Sequence, residues 1–269
     1  MALDIVRVDS LRRAAGILAA DEGARFLGGG TLLVRAVNSG HTSINRLVFC
    51  DGPDFDGIGT DGGRVTLGGA VTMAAIARHQ KLAFLGPVAE SIGGPAVRAM
   101  ATVGGNLFAR YPYGDFAVAL LALGAELVTE DLDRTETLAI DDFLAQPPAI
   151  VPRLVRSIVF KTPPAGAFRY AKVVRKHPHG ASVLSIAAVL PISGEKIAGA
   201  RVAYGAMAAK PMRARAVEKA LEGNRLDADT IEIALRFATD GCKPLTDPQA
   251  SDWYRTTVLP VHLKRLLAA

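Results

Sequence analysis

Apolar residues recur at two different periods along this chain, and the changes of period mark its elements. Leu11, Ala14, Ala15 and Leu18 fall at helical spacing behind a capping Asp9 or Ser10. Gly23 ends that helix, residues 24–27 read as a strand, and residues 46–50 as a second one. Residues 58–60 and 64–67 flank Asp61-Gly62-Gly63, a strong hairpin signal. Helices are expected over 72–79, 85–92 and 95–101, the last with Pro95 in its first turn. An apolar helix begins at Asp115 and stops at Gly124, and residues 125–130 are strand-like again.

Past Gln146 the pattern changes. Residues 146–152 and 162–164 are proline-rich and bracket a strand over 154–161, so the domain boundary is placed at 147–152. This divides the chain into 1–150, with subdomains of roughly 1–52 and 53–150, and 151–269. Long strands are expected over 168–174, 182–190 and 197–207, then helices over 213–221 and 227–239. In the second helix Ile231, Leu235 and Ala238 share a face. Strands first and helices after predict an α+β unit, its helices on one face of an antiparallel sheet.

Of the 269 residues 50% are apolar and 21% charged, which indicates a globular protein. The formal charge of +5 comes from scattered residues. Its densest clusters, 172–176 and 201–215, lack aromatic interleaving, so no nucleic-acid surface is expected. Cys50 and Cys242 have no CxxC partner, which excludes an iron–sulfur or structural zinc site within this chain. His177 and His179 have no carboxylate or cysteine nearby in sequence and read as a solvated loop, with no metal site expected. No apolar run approaches the roughly 20 residues of a membrane helix, and the first residues lack a signal-peptide pattern. A cytoplasmic protein without a membrane span is expected.

The chemistry lies in two glycine-rich segments. Gly28-Gly29-Gly30-Thr31 follows the strand over 24–27, and Thr102-Val103-Gly104-Gly105-Asn106 follows Ala99-Met100-Ala101. Consecutive glycines let backbone N–H groups converge with no side chain in the way, forming an anion nest. Two nests in one domain suit a diphosphate gripped from both sides, hence a dinucleotide cofactor, FAD foremost. The spacing is not GxGxxG, so the usual nucleotide fingerprint is missing.

The run from Gly28 to Leu33, then Gly68-Gly69-Ala70-Val71-Thr72, then Ala101 to Leu107, resembles the FAD-binding subunit of molybdenum hydroxylases. That family includes the medium subunit of aerobic carbon monoxide dehydrogenase and the flavin domain of xanthine dehydrogenase. Tyr204-Gly205, the run Lys210 to Ala214 and the run Asp247 to Arg255 resemble its small C-terminal domain, so the resemblance covers nearly the whole chain. It implies an α+β protein: an FAD-binding domain of the PCMH/vanillyl-alcohol-oxidase type, made of two α/β subdomains, and a smaller C-terminal domain. The latter would hold a three- to four-stranded antiparallel sheet with helices.

The resemblance also implies cofactor contacts. Leu27, Gly28, Gly29, Gly30, Thr31 and Leu32 would meet the FAD diphosphate, with Thr102, Val103, Gly104, Gly105 and Asn106 opposite them. Asp115 would lie on the adenosine side, and Lys172, with Arg175, near the N1–C2 edge of the flavin. Valine at Gly104 would then strip FAD while leaving the fold largely intact. Relatives carry an Asp and then an apolar or aromatic residue where this chain reads His177-Pro178-His179-Gly180, and Gly180 has no side chain to stack on a ring. Trp253 is expected to be partly buried, and Arg255 to tie down the last helix.

The implied activity is electron transfer in an oxidoreductase, with no catalytic acid or base in this chain. The partners would be a large molybdopterin subunit and a small subunit with 2Fe–2S clusters, assembled as a dimer of heterotrimers. The molybdenum cofactor and the clusters would reside only there. Two alternatives are a free-standing FAD-dependent oxidoreductase and a non-enzymatic nucleotide-binding scaffold.

Overall fold

Three short parallel strands open the chain, the helices between them returning it so that each strand runs the same way. The computed structural model describes residues 3–52, 55–109, 111–146 and 153–269. β1 (Asp4–Val8), α1 (Leu11–Ala20), β2 (Ala24–Phe26), α2 (Leu33–Asn38) and β3 (Arg46–Cys50) form a parallel sheet in the order β1-β3-β2. Ser10 caps α1, its side chain accepting from the Arg13 N–H, and Leu11, Ala14, Ala15 and Leu18 are buried as their spacing predicts.

The second subdomain starts with the expected hairpin, β4 (Ile58–Asp61) and β5 (Arg64–Gly68). Short helices follow: α3 (Met73–Arg78), a 3-10 helix (Gln80–Leu85), α4 (Gly86–Glu90), α5 (Pro95–Met100), α6 (Val103–Leu107) and α7 (Asp115–Leu123). Then come β6 (Glu126–Glu130), β7 (Thr135–Ala139), α8 (Ile140–Ala145) and β8 (Leu154–Lys161). The sheet is antiparallel in the order β4-β5-β8-β6-β7.

β8 corrects the expected boundary. Placed by sequence in the C-terminal domain, it instead lies in the middle of the first domain's sheet, with Ile158 fully buried between Leu67 and Leu127. Both flanking proline-rich stretches look like linkers, and only strand pairing shows that the second one, after Lys161, separates the domains. Residues 147–152, the expected boundary, lie outside the described residues.

The C-terminal domain comprises β9 (Phe168–Val174), β10 (Ser182–Val189), β11 (Ile192–Ser193), β12 (Lys196–Ile197), β13 (Arg201–Gly205), β14 (Met212–Arg213), α9 (Arg215–Leu221), α10 (Ala228–Leu235) and α11 (Asp252–Ala268). Its four-stranded antiparallel sheet runs β14-β13-β10-β9. The strand expected over 197–207 is broken at Gly199, whose φ of 84° only glycine adopts readily. Leu184, Ile186, Val202 and Tyr204 pack one face of the sheet on α9, α10 and α11. The alternate residues, Ala187 and Ala203 among them, face the first domain's core.

α7 joins the two. Every residue from Asp115 to Ala122 is buried, as a helix apolar on all sides must be. Gly205 admits its close approach, since a Cβ there would lie 2.8 Å from Val118. Among the described residues no helix is long and apolar enough to cross a membrane.

Candidate functional site

The first glycine segment begins where β2 leaves its sheet. The Leu27 N–H donates to the Val48 carbonyl at 2.7 Å, the last ladder bond, and helical bonding resumes with Val34 N–H to Gly30 O at 2.8 Å. Between them, none of the N–H groups from Gly28 to Leu32 meets an acceptor among the described residues. Gly30 turns the chain with a φ of 69°. A run of uncommitted amides without side chains in the way is the donor set that a diphosphate needs.

The two glycine segments touch. A Cβ on Gly28 would sit 3.0 Å from the Thr102 hydroxyl oxygen and 4.0 Å from the Gly105 Cα. A Cβ on Gly29 would overlap the Met100 carbonyl oxygen. Backbone lies against backbone, so the free amides of the first segment lie beside the second.

The second segment differs from its expected form. It starts the short helix α6 rather than making an open turn, with Thr102 as cap and Gly105 N–H donating to the Thr102 hydroxyl at 3.1 Å. Val103 N–H donates to Val71 O and Gly104 N–H to Gly69 O, each at 2.9 Å, while Asn106 N–H donates to Thr102 O at 3.0 Å. These amides therefore hold the segment in place instead of facing an anion. Gly104 is buried, and a Cβ there would lie 2.8 Å from the Gly69 carbonyl oxygen, so valine at this position strikes the fold itself. Asn106 accepts the Ala117 N–H on Oδ1 at 3.1 Å, pinning α7. Gly105 stays exposed beside Gly28.

Asp115 and Lys172 are also placed differently from expectation. They pair with each other, Nζ to Oδ2 at 2.8 Å, and both side chains are nearly buried. Asp115 Oδ1 accepts the Ser182 hydroxyl at 2.6 Å, and Lys172 Nζ donates to the Ser91 carbonyl at 2.9 Å. The carboxylate expected to receive ribose hydroxyls thus has both oxygens committed, and the pair ties α7 to β9 and β10. Burial decided this, and it is invisible in a lone Asp followed 57 residues later by a lone Lys.

Around that pair lie residues the sequence did not single out. Ser91 donates its hydroxyl to Val88 O at 2.7 Å, so the Tyr170 hydroxyl, 3.2 Å away, is left to donate to Ser91. Burial, and then the Asp115 charge, push the Tyr170 phenol well above its ordinary range, although the Ser91 hydrogen bond works in the opposite direction. It stays neutral.

α5 runs back from the second glycine segment to Gly94, with Val97 and Met100 exposed on it. There the loop over 175–180 comes across from the C-terminal domain, and a Cβ on Gly94 would lie 4.0 Å from the His179 ring. Gly180 donates its N–H to Lys176 O at 2.9 Å, and a Cβ there would lie 2.6 Å from that oxygen. Tight turning of this loop explains glycine where a stacking side chain was expected. Arg175 donates to the Pro248 carbonyl at 2.9 Å, which keeps it within its own domain. Among the described residues no group of three or more His, Cys, Asp and Glu is gathered for a metal. Burial raises the Cys50 thiol and pushes that of Cys242 up to about 11, so neither is primed as a thiolate.

Residues 1–160 match the family model of the FAD binding domain in molybdopterin dehydrogenase, and residues 167–269 that of the CO dehydrogenase flavoprotein C-terminal domain. The glyceraldehyde dehydrogenase medium chain of Sulfolobus acidocaldarius is 27% identical over 95% of this chain and 94% of its own length. The carbon monoxide dehydrogenase medium chain of Afipia carboxidovorans is 29% identical, over 97% and 94%. The solved structure of reconstituted CO dehydrogenase from Oligotropha carboxidovorans superposes with a TM-score of 0.90 at 27% identity, covering 100% of this chain and 97% of that one. With family models on both domains and a run of free amides that fits a diphosphate, the chain belongs to the family of the FAD-binding domain in molybdopterin dehydrogenases, as a medium, FAD-binding subunit of an oxidoreductase.

Proposed function

We propose that this chain is the electron-transfer subunit of a molybdenum hydroxylase, passing electrons from 2Fe–2S clusters of a small partner subunit to an external acceptor. Substrate oxidation belongs to a large molybdopterin subunit, and the whole is a cytoplasmic dimer of heterotrimers. When bound, FAD supplies a carrier able to exchange electrons singly or in pairs. The chain's own residues bind and orient it. The amides from Gly28 to Leu32 hold the diphosphate, with Leu27 fixing the strand end behind them and Thr102 and Gly105 on the other wall. Val103, Gly104 and Asn106 keep that wall in place, and the Asp115–Lys172 pair ties the C-terminal sheet to α7.

The observation carrying this proposal is the uncommitted amide run pressed against the second glycine segment. A separate cluster-bearing partner is supported by the chain's two cysteines, too few for any such cluster. The test is co-expression with the neighbouring reading frames, followed by purification on a tag carried by this chain. Flavin, iron and molybdenum should co-elute in fixed ratio, and the flavin should bleach when the substrate of the complex is added. A lone flavoprotein free of both metals that reduces dyes with a small substrate would instead establish a free-standing oxidoreductase.

A further inference from the structure

Arg35 is the one charged residue between Leu27 and Gly40, and it lies one helical turn beyond the amide run. It is exposed and has no hydrogen-bond or carboxylate partner among the described residues. Its direction is nonetheless set: the guanidinium carbon lies 5.8 Å from the centroid of the Tyr113 ring. Tyr113 keeps 40% of its surface exposed. Its place follows from the second glycine segment, because a Cβ on the neighbouring Gly114 would lie 3.6 Å from the Asn106 carbonyl, at the end of α6. An exposed aromatic ring that carries a guanidinium therefore lies by the end of α6, on the segment that follows the second glycine run, with Arg35 three residues beyond Leu32.

We propose that Arg35 and Tyr113 receive the adenosine diphosphate half of FAD. The purine stacks on the ring–guanidinium pair, as bases do on aromatic rings and on arginine planes. The guanidinium also balances diphosphate charge that the neutral amides leave uncompensated. This rests on FAD being the ligand of the amide run. It assigns the adenosine end to residues other than Asp115, whose carboxylate is committed elsewhere.

Calorimetric titration of the flavin-free full chain with FAD, ADP and FMN tests this. Tyr113→Ala should weaken FAD and ADP at least about fivefold and leave FMN unchanged, since only the first two carry the purine. Tyr113→Phe should bind all three like the parent. Arg35→Gln should weaken FAD and ADP and flatten their dependence on salt. Parental affinity for FAD and ADP in both Tyr113→Ala and Arg35→Gln overturns the inference and leaves the flavin site standing. An equal loss for FMN overturns it too, by showing general damage to the site. If the parent chain binds neither FAD nor ADP, the proposed function falls first and takes this inference with it.

Discussion

Gly29 has no room for a methyl group. An added Cβ would overlap the Met100 carbonyl and lie 3.0 Å from the Ala101 Cα, both backbone atoms that cannot swing aside. Gly29→Ala should push the two glycine segments apart, costing about 1–3 kcal/mol in stability as overpacking does. Flavin content should drop with it; a variant with parental melting temperature and full flavin would show that the contact is unimportant. Asp115 and Lys172 illustrate the opposite situation, two charges that burial joins. Each satisfies the other and a neighbouring serine, so neither is left as an unpaired buried ion.

The helices that follow or precede the two glycine segments are too short to stand alone. α2 and α5 have six residues each and α6 has five, well below what an isolated helix needs. α5 and α6 are held by reciprocal backbone bonds: Met73 N–H to Ala101 O and Val103 N–H to Val71 O, each at 2.9 Å, around the Thr72–Thr102 bridge. Both threonines also cap the helices that follow them. Gly104→Val should break this interlock. The expected result is lower thermal stability of the flavin-free chain as well as lost flavin, and intact melting without flavin would restore Gly104 to a purely ligand-facing role.

At the scale of the whole molecule, the C-terminal sheet is covered by its own helices on one face and by α7 on the other. Arg255, fully buried, secures the arrangement. Its Nε donates to Val183 O at 2.7 Å, Nη1 to Ala250 O at 2.8 Å and to Leu245 O, and Nη2 to both Asp247 oxygens at 2.9 and 3.0 Å. Partial burial works to raise the Asp247 carboxyl, but the Arg255 bond, with the N–H groups of Ala250 and Gln249, holds it below its usual range. The guanidinium also lies 5.3 Å from the ring of Tyr111 in the first domain, whose hydroxyl donates to Leu245 O at 3.0 Å. Arg255→Met should cost about 3–5 kcal/mol, the scale for removing one partner of a buried ion pair. Limited proteolysis should then cut the link between Lys161 and Phe168 faster; unchanged cleavage would place the docking strength elsewhere. Trp253, by contrast, is 71% exposed rather than packed as expected.

What was legible in the sequence is what neighbouring residues decide among themselves. Helical spacing placed α1, glycine and proline punctuated α5 and α7, and the paired glycines pointed to a backbone-lined anion site. Two glycine segments separated by some seventy residues could be named but not brought together by local rules. Tertiary structure decided the rest: that one segment offers its amides while the other consumes its own, that Asp115 meets Lys172, and that β8 belongs to the first sheet. The reason is that a hydrogen-bond donor is free or committed only by virtue of what packs against it, and in this chain those partners are distant in sequence.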